Sequence, residues 1–280
     1  MRNHMKKLMK SAIAALVILG AASFAADSAF AAGSGPKPPR QDWSFSGIFG
    51  TFDRASAQRG LQVYKEVCAA CHGLRLVHFR QLTGIGYNED QIKAMAAEIE
   101  VTDGPNDEGE MFERPGIPAD RFPSPFPNDK AAAASNNGKA PPDLSLITKA
   151  RSGGGESAIR FSIKQPGGFT LGSDYLYALL TGYVEAPAGF EVPEGGNYNT
   201  YFPGHVIAMA APLADEAVEY QDGTKATVAQ MSRDVTTFLA WAAEPELEAR
   251  KSMGIKVMLF LIIFTGLLFA VKRKIWDDVH

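Results

Sequence analysis

The stretch that most constrains this 280-residue chain is C-A-A-C-H, Cys68 to His72, because it holds the only two cysteines in the sequence. Two thiols three positions apart with an imidazole directly after them have few chemical uses. A thioredoxin-like redox pair needs a βαβ setting, and none surrounds the motif. A structural zinc site needs four ligands, and only His78 or His205 could complete a set with Cys68, Cys71 and His72. An exported chain would be free to form a disulfide, yet cysteines three apart on a helix are poorly placed for one. C-x-x-C-H is also the attachment pattern for c-type haem. Both thiols add across vinyl groups from one side of a short helical turn, and the adjacent imidazole reaches the iron as the proximal ligand. The motif therefore predicts one covalent haem c.

The two ends of the chain set its surroundings. Arg2, Lys6, Lys7 and Lys10 precede an apolar run from Ala12 to Ala26, and Ala29-Phe30-Ala31 has the small-x-small form of a cleavage site. Residues 1–31 read as a cleaved secretory signal, with a first transmembrane helix as the alternative. Near the other end, Met253 to Val271 is a nineteen-residue run with one charge, Lys256, followed by Lys272-Arg273-Lys274. Such a helix spans roughly 28 Å, close to the hydrocarbon thickness of a bilayer. The basic triplet is expected to stay on the cytoplasmic side, and Trp276 suits the interface. This divides the chain into a signal (1–31), an exported head (32–252), an anchor (253–271) and a cytoplasmic tail (272–280). The expected location is the inner membrane, with the head on the periplasmic side.

The head carries excess negative charge. Without the signal, Lys256 and the tail, 20 Lys+Arg stand against 28 Asp+Glu. Much of this lies in the runs Asp103–Glu113, Glu185–Glu194 and Asp215–Asp222. A negative head argues against nucleic acid and for a cationic partner or simple solubility.

Helical periodicity begins after Asp53, a good N-cap, where Leu61, Tyr64, Cys68, Cys71 and His72 recur at spacings of three and four. Gly60 inside this helix costs about 1 kcal/mol relative to Ala, which points to a close helix–helix approach. A second helix is expected to start at Thr227, where Gln230 completes the sequence pattern of a capping box. Val228, Met231, Val235, Phe238, Leu239 and Ala242 would form its apolar face, and Pro245 would close it. Residues 88–100 and 173–181 also read as helical. Prolines and glycines fill the rest, with no strand pattern strong enough for a large sheet. So much loop is unusual in a compact domain unless it wraps a large apolar cofactor. The expected fold class is mainly α: a cytochrome c-like haem domain with long loops, plus one C-terminal transmembrane helix.

A second iron ligand has to come from a distant position. Outside the signal and anchor the methionines are Met95, Met111, Met209 and Met231. Met231 belongs to the apolar helix face, Met95 to a helical stretch and Met111 to an acidic loop. Met209, in H-V-I-A-M-A-A-P-L, is the best placed for its thioether to bind iron. Any of these can equally fill irregular core space, and His205 is the rival ligand.

Longer stretches narrow the reading. V-C-A-A-C-H-G, N-N-G-K-A-P-P-D-L-S, L-L-T-G-Y, Y-F-P-G-H-V-I-A-M-A-A-P-L, Y-Q-D-G-T-K-A-T-V-A-Q-M, F-L-A-W-A-A-E-P-E and R-K-S-M-G occur in this order. Together they resemble the cytochrome c1 family of the ubiquinol–cytochrome c oxidoreductase (bc1) complex, in its bacterial form, over nearly the whole mature chain. The resemblance implies that Cys68 and Cys71 bind haem and that His72 and Met209 are the axial ligands. It further implies that Asn136, Pro141, Pro142, Leu144, Ile147, Tyr175, Phe202, Ile207 and Pro212 line the haem, and that Arg151 pairs with a propionate. The implied partners are cytochrome b, the Rieske iron–sulfur protein as electron donor, and a cytochrome c acceptor, expected to be basic. Two departures stand out: Ala211 replaces the first of two prolines that commonly follow the ligand methionine, and Ser157–Leu171 reads as an insertion. A free-standing, membrane-anchored electron-shuttle cytochrome and a haem-c enzyme with an open iron position are the alternatives.

Overall fold

The computed structural model describes residues 36–151 and 171–277. The proposed signal and nearly all of the Ser157–Leu171 segment lie outside these residues.

Helix α1 (Arg54–Glu66) begins where expected, with the Asp53 carboxylate accepting from the Ser56 amide at 3.1 Å. A single 3-10 turn, Cys68–Ala70, continues it into the thiol–imidazole motif. A second 3-10 helix (Phe79–Ile85) and α2 (Glu89–Ala97) follow. An antiparallel hairpin then pairs β1 (Glu100–Asp103) with β2 (Phe112–Pro115). Two short helices come next, α3 (Asp129–Ser135) and α4 (Ile147–Ala150). Helix α5 spans Leu171–Thr181. A minimal antiparallel pair, β3 (Asn197–Tyr198) with β4 (Val206–Ile207), precedes α6 (Val228–Ala243) and the 31-residue α7 (Leu247–Asp277). The described residues are thus mainly helical, with small two-stranded ladders in place of any large sheet.

The centre of the fold is the crossing of α1 and α6. A Cβ placed on Gly60 would lie 2.0 Å from the Asp234 carbonyl oxygen and 2.7 Å from Phe238 Cβ, so the two backbones meet where the sequence places its helical glycine. Around this contact, Asp234 is fully buried and saturated. It accepts from Ser56 Oγ (2.7 Å), Arg59 Nε (2.9 Å) and Nη2 (3.2 Å), and Gln230 Nε2 (3.0 Å). A buried carboxylate is tolerable only when paired and hydrogen-bonded in this way.

Helix α6 departs from the one-sided pattern read in the sequence. Met231, Val235, Phe238, Leu239 and Ala242 are buried as expected, but so are Ser232, Asp234, Thr236, Thr237, Ala240, Trp241 and Ala243. α1 covers one side, and α4 and α5 cover another. Thr237 Oγ1 donates to the Arg233 carbonyl at 3.0 Å, whereas Ser232 Oγ and Thr236 Oγ1 are buried without a hydrogen-bond partner among the described residues. The capping box also forms by half. Thr227 Oγ1 accepts from the Gln230 amide. The Gln230 side chain, however, is drawn to Asp234, and the Thr227 amide donates to the Lys225 carbonyl instead. The helix ends at Ala243, before Pro245.

α7 carries the C-terminal apolar run in the middle of one long helix. At 1.5 Å per residue it is about 46 Å long, and its apolar side chains are solvent-exposed. By length and hydropathy it is the one described helix able to cross a membrane.

Gly60→Ala is expected to force α1 and α6 apart. Overpacking of this kind costs about 1–3 kcal/mol or more, measurable as a lowered midpoint in denaturant unfolding of the haem-loaded protein. A stability unchanged from wild type would show that the crossing can relax.

Candidate functional site

The motif leaves α1 as one tight turn. The Cys68 carbonyl accepts from both the Cys71 amide (3.1 Å) and the His72 amide (2.9 Å), and Tyr64 Oη donates to the His72 carbonyl at 3.0 Å. Cys68 is half-buried against the core and Cys71 is exposed. Burial pushes the Cys68 thiol up to about 12, with Cys71 adding to the shift. At neutral pH Cys68 therefore stays a thiol rather than an easily formed thiolate.

His72 is oriented from the other side. Its Nδ1 lies 2.7 Å from the Pro142 carbonyl oxygen. A carbonyl can only accept, so Nδ1 carries the proton and Nε2 keeps its lone pair. Burial lowers the His72 pKa, outweighing the opposite pull of the Pro142 carbonyl and Asp143, which also favours the neutral, ligating form. The P-P-D-L-S segment is strapped onto the chain that follows His72. The Leu144 amide donates to the Gly73 carbonyl (2.9 Å), the Arg75 amide to Asp143 Oδ2 (2.9 Å), and the Leu76 amide to Ser145 Oγ (3.1 Å). The N-N-G turn delivers this segment by ending α3. Asn137 and Gly138 take left-handed backbone (φ +51° and +78°), and the Gly138 amide reaches back to the Ala133 carbonyl at 2.8 Å.

Beside the motif lies a cavity of about 510 Å³ lined by Leu76, Pro142, Leu146, Ile147, Ala150 and Arg151, among others. Leu76 and Leu146 are each about half exposed on its rim. Two thiols on one turn, a histidine with a free Nε2 lone pair and an apolar crevice next to them fit a large, flat, covalently attached cofactor. The zinc alternative fails on donors. His78 Nε2 accepts from Arg121 Nε (3.3 Å), and His205 stacks on Tyr198 with Nδ1 near the Asn199 carbonyl. Among the described residues no group of three or more His, Cys, Asp or Glu is arranged to hold a metal ion.

The remaining expected residues fall in two groups. Leu144 and Ile147 are buried, Pro141 is half-buried, and Pro142 and Arg151 are exposed, all in or just after the segment tied to the chain that follows His72. Asn136 caps the end of α3, its amide turned back to the Ala132 carbonyl. In the second group Ile207 is buried, and Phe202, Met209 and Pro212 are half-buried, all within residues 202–212. Tyr175 on α5 links the two. Burial raises its phenol, and the nearby positive charge of Arg151 pulls it partly back. Tyr183, also raised by burial and by Tyr175, donates from Oη to the Met209 carbonyl at 3.1 Å. The other methionines are committed elsewhere: Met231 is fully buried, Met95 packs on the core, and Met111 is exposed in the hairpin.

Three contributors escape a reading by residue type: the Pro142 carbonyl, Tyr183 and Asn199. Asn199 is completely buried, donating to the Leu179 carbonyl (2.8 Å) and accepting from the Tyr201 and Phe202 amides. It ties the Met209 loop to the end of α5. The only signal for Tyr183 was its place in L-L-T-G-Y.

Helix, covalent-attachment turn and oriented imidazole together define a c-type cytochrome, a protein that carries haem c through thioether bonds. Comparison with known proteins narrows this. The cytochrome C1 family model matches residues 43–279. The chain is 56% identical over 253 residues to cytochrome b/c1 of Bradyrhizobium diazoefficiens, covering 87% of this chain but only 36% of that relative. It is 50% identical to cytochrome c1 of Rhodospirillum rubrum, covering 86% of this chain and 88% of the relative. It is 48% identical to the mitochondrial cytochrome b-c1 complex catalytic subunit of Candida albicans, covering 92% and 83%. The chain belongs to the cytochrome c1 family, whose members are haem proteins of electron transport.

Tyr183→Phe removes one hydrogen bond and keeps the ring. The expected cost is about 0.5–1.5 kcal/mol, read as earlier loss of the native visible spectrum on heating, with the spectrum at room temperature preserved.

Proposed function

We infer that the protein is the haem c subunit of a respiratory bc1 complex. It takes single electrons from the Rieske iron–sulfur protein and passes them to a soluble or membrane-bound cytochrome c. The observation that carries this reading is the His72 imidazole, held neutral with Nε2 available by the Pro142 carbonyl, directly beside the paired thiols. When bound, haem c supplies a one-electron couple at its iron, with His72 and Met209 as the protein ligands and Cys68 and Cys71 as the covalent attachment. Held by both residues, the iron would have no open position, which favours electron transfer over oxygen chemistry. Pro142 fixes the histidine tautomer, and Tyr183 holds the backbone of the Met209 loop. Arg151, at the mouth of the crevice beside Tyr175, can neutralise a propionate bidentately. Asn136, Pro141, Leu144, Ile147, Phe202, Ile207 and Pro212 would exclude water from the remaining surface. His205, stacked on Tyr198 and met edge-on by Phe190, is a poor distal ligand by comparison.

The surroundings of the head support a fixed subunit in the membrane. Residues 1–31 would direct export, residues 253–271 would anchor the chain in the inner membrane, and Lys272-Arg273-Lys274 would hold the tail in the cytoplasm. The head would then face the periplasm. α7 does not leave the head by a flexible tether. Glu248 in its first turn takes a bidentate pair from Arg54 (2.7 Å on both arms) and the Phe52 amide (2.8 Å). Lys251 Nζ donates to the Phe45 and Gly50 carbonyls at 2.8 and 2.9 Å. A free-standing shuttle needs a mobile head, so this rigid neck favours the complex, with cytochrome b as the membrane partner. Quinol oxidation and any coupled proton movement would belong to the assembled complex. The acidic β1–β2 hairpin region is suited to a basic acceptor.

Three results test this. Met209→Leu is expected to change the oxidised spectrum and lower the midpoint potential, and an unchanged spectrum would remove Met209 as ligand. Purification in mild detergent should bring down a b-type haem protein and an iron–sulfur protein, and their absence would overturn the complex-subunit reading. Electron transfer to a basic cytochrome c should slow as ionic strength rises, whereas a salt-independent rate would rule out steering by the acidic runs.

A further inference from the structure

The membrane reading does not account for the segment Ser44–Thr51. Its neck is closed by the Thr51 amide donating to the Ser44 carbonyl at 3.1 Å, and Phe45 and Phe52 are buried at its base with ring centroids 5.1 Å apart. At its tip, between Gly47 and Gly50, stand two adjacent large apolar side chains, Ile48 and Phe49, exposed at 68% and 83%. The tip is built to be tight: a Cβ on Gly50 would sit 1.9 Å from the Ser46 carbonyl oxygen. A closed, well-anchored loop that holds two hydrophobic side chains out in water calls for an occupant.

The position of this finger identifies one. Lys251 binds its carbonyls at Phe45 and Gly50, and Glu248 binds its trailing end at Phe52. Both residues are in the first turns of α7, immediately before the exposed apolar surface that begins at Met253. The finger is therefore fixed beside the point where α7 would enter the bilayer. We propose that Ile48 and Phe49 insert into the interfacial layer of the lipid bilayer next to α7, giving the head a second membrane contact that limits its tilt about the anchor. This rests on the reading that α7 spans a membrane.

The test uses the full haem-loaded chain reconstituted in phosphatidylcholine vesicles. Thioether formation consumes Cys68 and Cys71, so Phe49→Cys introduces the one free thiol available for a nitroxide label. Collision with oxygen, which concentrates in lipid, is compared with collision with a water-soluble nickel chelate. Met258→Cys in α7 and Glu108→Cys in the hairpin serve as lipid and water references. The expected oxygen-to-nickel ratio at position 49 is several-fold above that at 108 and below that at 258. A ratio at 49 equal to that at 108, with 258 still reporting lipid, overturns the finger while leaving the anchor intact. A label at 49 shielded from both reagents means that protein, such as a second copy of the chain, covers the tip, and this also overturns the proposal. An aqueous ratio at 258 would overturn the anchor reading and the finger together.

Discussion

Every functional part of this chain hangs from the contact between α1 and α6. Gly60 lets the two backbones touch, and the buried Asp234 carboxylate, satisfied by Ser56, Arg59 and Gln230, locks them in register. α1 runs directly into the thiol–imidazole turn, and α6 runs into α7 after a short break at Glu244–Glu246. One crossing therefore sets both the position of the cofactor-attachment turn and the direction in which α7 leaves the head. An uncompensated charge at Asp234 would be costly, so the pairing also excludes other registers of the two helices.

Around this frame the site is built largely from backbone groups. The Pro142 carbonyl chooses the tautomer of His72, and three further bonds from the P-P-D-L-S segment keep that carbonyl in place. Asn199 and Tyr183 hold the loop of Met209 by its main chain. Such supports position the His72 and Met209 side chains through the backbone around them.

The neck carries the same logic to α7. Long polar side chains at Arg54, Glu248 and Lys251 couple the head to α7 within its first turns. A head coupled in this way is held at a set angle to the long helix.

The sequence by itself determined the covalent cofactor, the start of α1, the glycine at the crossing, the end of α6 before Pro245 and the apolar run of α7. Each of these depends on residue chemistry or local periodicity, so neighbours in the chain suffice to reveal it. Residue type also placed Met209 ahead of the other methionines, with His205 still a rival. Only the tertiary structure decided the rest. Ser232, Asp234, Thr236 and Thr237 read as the wet face of an amphipathic helix, but α1, α4 and α5 enclose α6 and turn that face inward. Gln230 reads as a cap partner, but a buried carboxylate claimed it. His205 packs its ring against Tyr198 and Phe190, and Pro142 was given its role through an oxygen that every residue has. Contacts between residues far apart in the chain, the choice among local partners that such contacts impose, and backbone groups common to all residue types leave no mark in composition or spacing. That is the physical reason they became legible only in the fold.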